Sequence, residues 1–133
     1  MTEAIRTTLF IKYARAKIKE TFVGECKISK TESLPFSAVK DHQENALYRA
    51  KHGTLSYKIP DVGYDQKPFD LFQVYNCPAY VIIFWYTKPG DKRMSIIDID
   101  SWLTEKEKAL ENKEERKSLT YQQSCIIGTC YTL

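Results

Sequence analysis

Eight consecutive uncharged residues, Ala79 to Tyr86 (AYVIIFWY), constrain this chain more than any other stretch. Branched and aromatic side chains fill the run without alternation, so it reads as a strand buried on both faces at the centre of a sheet. It is far short of the ~20 apolar residues that a membrane-spanning helix needs. Turn chemistry flanks it, with Asn76-Cys77-Pro78 before and Lys88-Pro89-Gly90-Asp91 after. Met94 to Ile99 (MSIIDI) then returns as an antiparallel partner.

The remaining segments supply layers for such a strand. The chain has 133 residues, which suits one domain over 1–133 with a single core. Phe22 to Ile28 reads as another strand. A helix entered through Leu34-Pro35-Phe36-Ser37, with Ser37 as N-cap, ends at His52 with Gly53 in the C′ position. Phe36, Val39, Gln43 and Leu47 share one side of it. Thr54 to Ile59 alternates like a strand, residues 60–65 are turn chemistry, and Pro68 to Tyr75 opens a strand with a tolerated proline. Ser101 caps a helix from Trp102 to about Lys117, which packs through Trp102, Leu103, Ala109 and Leu110 and turns Glu and Lys to solvent. Ser118-Leu119-Thr120 starts a short closing helix to Ile127, with Ile126 and Ile127 as packing residues. Residues 3–19 fit a strand or a helix. This order predicts an α/β (α+β) domain: a mixed central β-sheet flanked by helices.

Charge and cysteine usage narrow the partners. The formal charge is +3, which permits a nucleic-acid partner without demanding one. The N-terminal third is the basic part, with Arg6, Lys12, Arg15, Lys17, Lys19, Lys27, Lys30 and Lys40 against Glu3, Glu20, Glu25, Glu32 and Asp41. Cys26, Cys77, Cys125 and Cys130 form no CxxC pair and have no histidine cluster beside them, which argues against structural zinc. The opening Met1 to Arg6 lacks the charged-then-apolar order of a signal peptide. Free thiols in a reducing cytoplasm are the expectation.

One short motif carries chemistry. On a strand, Glu25 and Lys27 point to the same face, so a carboxylate and an ammonium stand side by side. Gly24 beside them admits a close backbone or phosphate, or marks a bulge. The helix that follows can return Gln43 towards the pair, whereas His42 lies about 100° round the helix and reads as an exposed polar residue.

The arrangement FVGECKISK…LPFSAVKDHQENAL resembles the PD-(D/E)xK nucleases, and within them the Holliday junction resolvases of the RecU type and their phage relatives. The resemblance spans Phe22 to Ala50 and reaches Ala79 to Asp100 only as a strand pattern. It implies a restriction-endonuclease-like core and a Mg2+ (or Mn2+)-dependent endonuclease acting on branched or structured DNA. It also implies a homodimer, because two cuts on a symmetric junction need two related sites, and a bacterial or phage-infected cytoplasm. Glu25 would bind the metal, Lys27 would orient water or stabilise developing charge, and Gln43 would hold the water or a phosphate. Lys30, Lys40, His42 and Arg49 would contact the DNA. The family's further metal-binding Asp lies about a dozen residues before its E-x-K, which here falls near Lys12 and Tyr13, where no acid stands. Asp70, after Lys67-Pro68-Phe69, is the expected substitute and would share the metal with Glu25, with Glu3 and Asp61 as weaker alternatives. Without a second carboxylate, the resemblance implies a degenerate nucleic-acid-binding or virion-associated module.

Overall fold

A computed structural model describes residues 8, 12, 17–61, 63, 66–111 and 116–132. Most of the ambiguous 3–19 segment, including Glu3, lies outside them. The central sheet has four strands in the order β1 (Val23–Ser29), β5 (Ala79–Trp85), β6 (Arg93–Asp98) and β8 (Thr129–Thr132). β1 runs parallel to β5, while β6 is antiparallel to both β5 and β8. A parallel pair needs a long crossover. Here that crossover carries β2 (Ser33–Pro35), a 3-10 turn at Phe36–Ala38, helix α1 (Asp41–His52), and a ribbon of β3 (Thr54–Lys58) and β4 (Leu71–Tyr75). Helix α2 (Ile99–Glu111), β7 (Ser118–Thr120) and helix α3 (Tyr121–Ile127) complete the chain before β8.

The AYVIIFWY run is the central strand, as its composition predicts, and six of its seven strand residues are buried. Its odd positions, Val81, Ile83 and Trp85, pack with Leu47 and Ala50 of α1, Trp102 and Ala109 of α2, and Ile127 of α3. Its even positions, Ile82 and Phe84, join Met94, Ile96, Ile18, Phe22 and Ile28 on the opposite face. The sheet is mixed and helices cover it, in an α+β arrangement.

Several boundaries differ from expectation. The helix begins at Asp41, not Ser37. Ser33–Pro35 instead pairs with Ser118–Thr120 in a separate two-stranded sheet, and Phe36 and Val39 are buried anchors ahead of the helix. The helix ends at His52 as read, but Gly53 has extended backbone, and no left-handed residue is needed there. α2 starts at Ile99, two residues before Ser101, because Asp98 accepts the Asp100 N–H at 2.9 Å and does the capping. Ser118–Thr120 is a strand, and Thr120 caps α3 by accepting the Gln123 N–H at 3.1 Å. Ile126 is exposed, and only Ile127 packs. Gly24 marks no bulge, since it pairs in register with Tyr80, and a Cβ there would lie 2.8 Å from Ile82 Cδ1, so the end of that side chain would have to shift.

Cys125 and Cys130 are joined in a disulfide that ties α3 to β8, while Cys26 and Cys77 are free. This corrects the expectation of four free thiols, which rested on motif spacing and could not see a helix–strand contact across Gly128. A loop this short restricts the unfolded chain modestly, so reduction is expected to cost about 2 kcal/mol. Urea melts with and without dithiothreitol measure it. Among the described residues, no helix is long and apolar enough to cross a membrane.

The β5–β6 turn is held by Asp91. Its Oδ2 accepts the Thr87 N–H (3.0 Å), the Thr87 hydroxyl (2.9 Å) and Arg93 Nη2 (2.8 Å), while Oδ1 accepts Arg93 Nε (2.8 Å). Arg93 also clasps Glu32 and lies 4.3 Å over the Tyr121 ring. The Arg93 guanidinium holds the Asp91 carboxyl well below its usual range, against the opposing effect of burial. A depressed folded-state pKa means that this stabilisation is complete above the unfolded value near 3.8 and is lost as pH falls below it. Asp91→Asn is therefore expected to cost about 1–3 kcal/mol at neutral pH. The gap to wild type should narrow as urea melts are repeated at decreasing pH below 3.8.

Candidate active site

β1 is an edge strand, and its register sets Glu25 beside Val81 and Lys27 beside Ile83. Both side chains therefore rise on the face that α1 covers, while Cys26 points to the other face with Ile82. Lys27 Nζ lies 3.0 Å from Glu25 Oε1. Gln43, in the first turn of α1, donates its Nε2–H to the same oxygen at 3.0 Å. The Gln43 Oε1 accepts the Lys40 backbone N–H at 2.9 Å. One amide thus caps its own helix and, because its oxygen is used there, must aim its NH2 at the carboxylate. Glu25 Oε2 takes no bond from a described residue. The Glu25 and Lys27 side chains are 28% and 21% exposed, so a ligand can reach the pair.

The E-x-K reading and the returning glutamine thus meet in space. Lys30 directly follows β1 and Lys40 directly precedes α1, and both are exposed. His42 is exposed, as expected one position round the helix, and Arg49 is exposed about two turns further along α1. Burial pushes the Cys26 thiol up to about 11, and the Glu25 charge adds to that, which disfavours the thiolate.

Asp70 is placed elsewhere. It precedes β4, its side chain is 81% exposed, and it pairs with Lys67 Nζ at 2.8 Å. Lys67 also binds Asp61, and these two bonds raise its pKa. Among the described residues, no hydrogen bond or ion pair joins either acid to Glu25, Lys27 or Gln43. The physical reason is that, among the described strands, β4 pairs only with β3, in a ribbon separate from the central sheet. Among the described residues, no three His, Cys, Asp or Glu side chains gather as metal ligands. Glu25 Oε2 remains a suitable single carboxylate for Mg2+, which commonly keeps waters and takes further oxygens from substrate phosphates.

Lys51 and His52, whose place at the helix end suggests phosphate contacts, instead join a second polar cluster that the sequence pattern did not reveal. Lys51 Nζ lies 2.8 Å from Asp98 Oδ1 and 2.5 Å from Asp100 Oδ2, and His52 Nε2 meets Asp100 Oδ2 at 2.8 Å. Burial opposes both charges, but the hydrogen bonds win: Lys51 is raised and Asp100 lowered. The cluster ties the last turn of α1 to the β6–α2 junction, and the alternating Asp98-Ile99-Asp100 was the available signal. A cleft of about 490 Å3 lined by Lys17, Glu20, Tyr80, Asp98 and Tyr131 lies against the opposite sheet face, away from Glu25.

Comparison with protein families, with characterised proteins and with solved structures finds no match to this chain.

Proposed function

We propose that this chain is a metal-dependent DNA endonuclease, similar to Holliday junction resolvases, which hydrolyses phosphodiester bonds in branched or structured DNA. The observation that carries the reading is the convergence of Lys27 and Gln43 on one Glu25 carboxylate oxygen, on the edge strand of the described sheet. Glu25 Oε2 would hold Mg2+ or Mn2+. The ion, when bound, neutralises phosphate charge and lowers the pKa of water. Lys27, freed from Glu25 by that exchange of cations, would turn its ammonium to the attacking water or to the charge growing on the phosphate. Gln43, locked by the helix cap, would position a water or a phosphate oxygen. Water oxygen bonds to phosphorus, the bond to the leaving oxygen breaks, and the water proton passes to solvent or to that oxygen. Lys30 and Lys40 would hold the flanking backbone.

That Glu25 is the one carboxylate at the site among the described residues, with Asp61 and Asp70 both engaged by Lys67, favours one second reading: a DNA-binding module that does not cut. Incubating the protein with four-way-junction and duplex DNA in Mg2+ or Mn2+ tests both. Cleavage supports the nuclease, and salt-sensitive binding without cleavage supports the module.

A further inference from the structure

The Cys125–Cys130 disulfide spans the turn from α3 into β8, and its two sulfurs stand in different surroundings. Cys125 is exposed on α3, and among the described residues no hydrogen bond reaches its sulfur. Cys130 is half-buried. Its Sγ lies 3.2 Å from Ser95 Oγ and 3.6 Å from Ser124 Oγ, and both serines are fully buried. Gly128 seats the turn that joins the two cysteines. Its N–H donates to the Ser124 carbonyl at 2.9 Å, and a Cβ there would lie 2.5 Å from the Ile96 carbonyl oxygen, so a side chain would push the turn off β6.

The hydrogens around Cys130 can be assigned in turn. The Trp85 indole N–H donates to Ser95 Oγ at 2.7 Å, and the Ser124 hydroxyl donates to the Tyr121 carbonyl at 2.6 Å. Ser95 therefore keeps one O–H to give, with two acceptors in reach: Ser124 Oγ at 2.7 Å and Cys130 Sγ at 3.2 Å. A sulfur in a closed disulfide is a weak acceptor, so the oxygen holds that hydrogen. A thiolate at Cys130 would reverse the choice, because a hydrogen bond to an ionised acceptor is the stronger one. A buried donor thus stands beside the sulfur that would carry the charge if the bond were opened from the solvent side.

We propose that Cys125–Cys130 is a thiol–disulfide exchange site whose substrate is a small external thiol, with Cys125 the sulfur attacked and Cys130 the sulfur that leaves. The incoming thiolate bonds to Cys125 Sγ, the bond to Cys130 Sγ breaks, and its electron pair stays on Cys130, which takes the Ser95 O–H. One disulfide replaces another, so no outside oxidant or reductant enters the step. In the reverse step the Cys130 thiolate attacks Cys125 Sγ and expels the external thiol. Exchange is faster where the attacked sulfur is accessible and the leaving thiolate is stabilised, and exposed pairs are the labile ones. Both conditions select Cys125 for attack and Cys130 for departure. β8 lies at the opposite edge of the sheet from β1, so the inference does not rest on the nuclease reading of Glu25.

Reduced glutathione at millimolar concentration is the probe. The full chain is incubated with it, quenched at successive times with N-ethylmaleimide and mapped by peptide mass spectrometry. The expected species carries glutathione on Cys125 and maleimide on Cys130 of the same peptide. Ser95→Ala should open about tenfold more slowly, the loss expected for one hydrogen bond to a charged group. Ser95→Thr, which keeps the hydroxyl, should lie nearer to wild type. A pair that stays closed overturns the proposal, as does an adduct mapped to Cys130 or opening with no Cys125 adduct at any time. A Ser95→Ala protein with unchanged circular dichroism that opens as fast as wild type, or faster, also overturns it. If that variant does not fold, the wild-type map decides alone.

Discussion

Lys27→Ala and Glu25→Ala are each expected to reduce cleavage of four-way-junction DNA by about 10²–10³-fold, the usual loss when one preorganised charge or donor leaves a transition state. The fold should survive both changes. The pair is partly exposed, and such a pair contributes about 0–1 kcal/mol to stability. Activity and stability therefore separate cleanly here. Gln43→Ala is the informative third variant, because it removes both the bond to Glu25 and the cap on Lys40 N–H. It should cost about 0.5–2 kcal/mol as a lost helix cap, along with a smaller fall in cleavage than Lys27→Ala. Initial rates in Mg2+ and Mn2+, with a urea melt for each variant, check all three. A Lys27→Ala protein that cuts as fast as wild type sinks the nuclease reading.

Local patterns were legible where one element decided the outcome. The run from Ala79 announces a doubly buried strand because no polar residue interrupts it, and the structure puts it between two neighbours. Glu25 and Lys27 share a face because period two leaves no other choice, and Gln43 reaches them because α1 is laid back along β1. What stayed hidden depended on pairing between distant segments. Nothing in Leu34-Pro35 announces that it will pair with Ser118-Leu119, yet that pairing moves the helix start from Ser37 to Asp41. Pro68-Phe69-Asp70 looks like a strand entry whichever sheet it joins, and the ribbon it enters pairs only with itself, which strands Asp70 beside Lys67. The C-terminal β8 is short, with threonine at both ends, and its pairing with β6 places it at the edge of the sheet.

Trp102→Ala should be among the most damaging single changes in the protein, at about 3–5 kcal/mol. Trp102 is fully buried where α2 meets α1, edge-on to Phe36 at 5.3 Å. Its indole N–H donates to Glu44 Oε2 at 2.7 Å, while Lys106, one turn further along α2, holds Glu44 Oε1 at 2.9 Å. Glu44 is itself buried, so the alanine leaves both a cavity and a carboxylate stripped of one partner. Trp102→Phe separates the two losses: it keeps most of the volume and removes only the donor, for about 1–3 kcal/mol. Because Glu44 and Gln43 lie on the same helix, this clamp also helps hold α1, and with it Gln43, in place. The phenylalanine variant should therefore retain cleavage well below its melting temperature but lose it at a lower temperature than wild type. Urea melts of the two variants decide the matter. Equal costs would mean that the hydrogen bond rather than packing holds the helices together, and a phenylalanine as stable as wild type would mean that Lys106 alone satisfies Glu44.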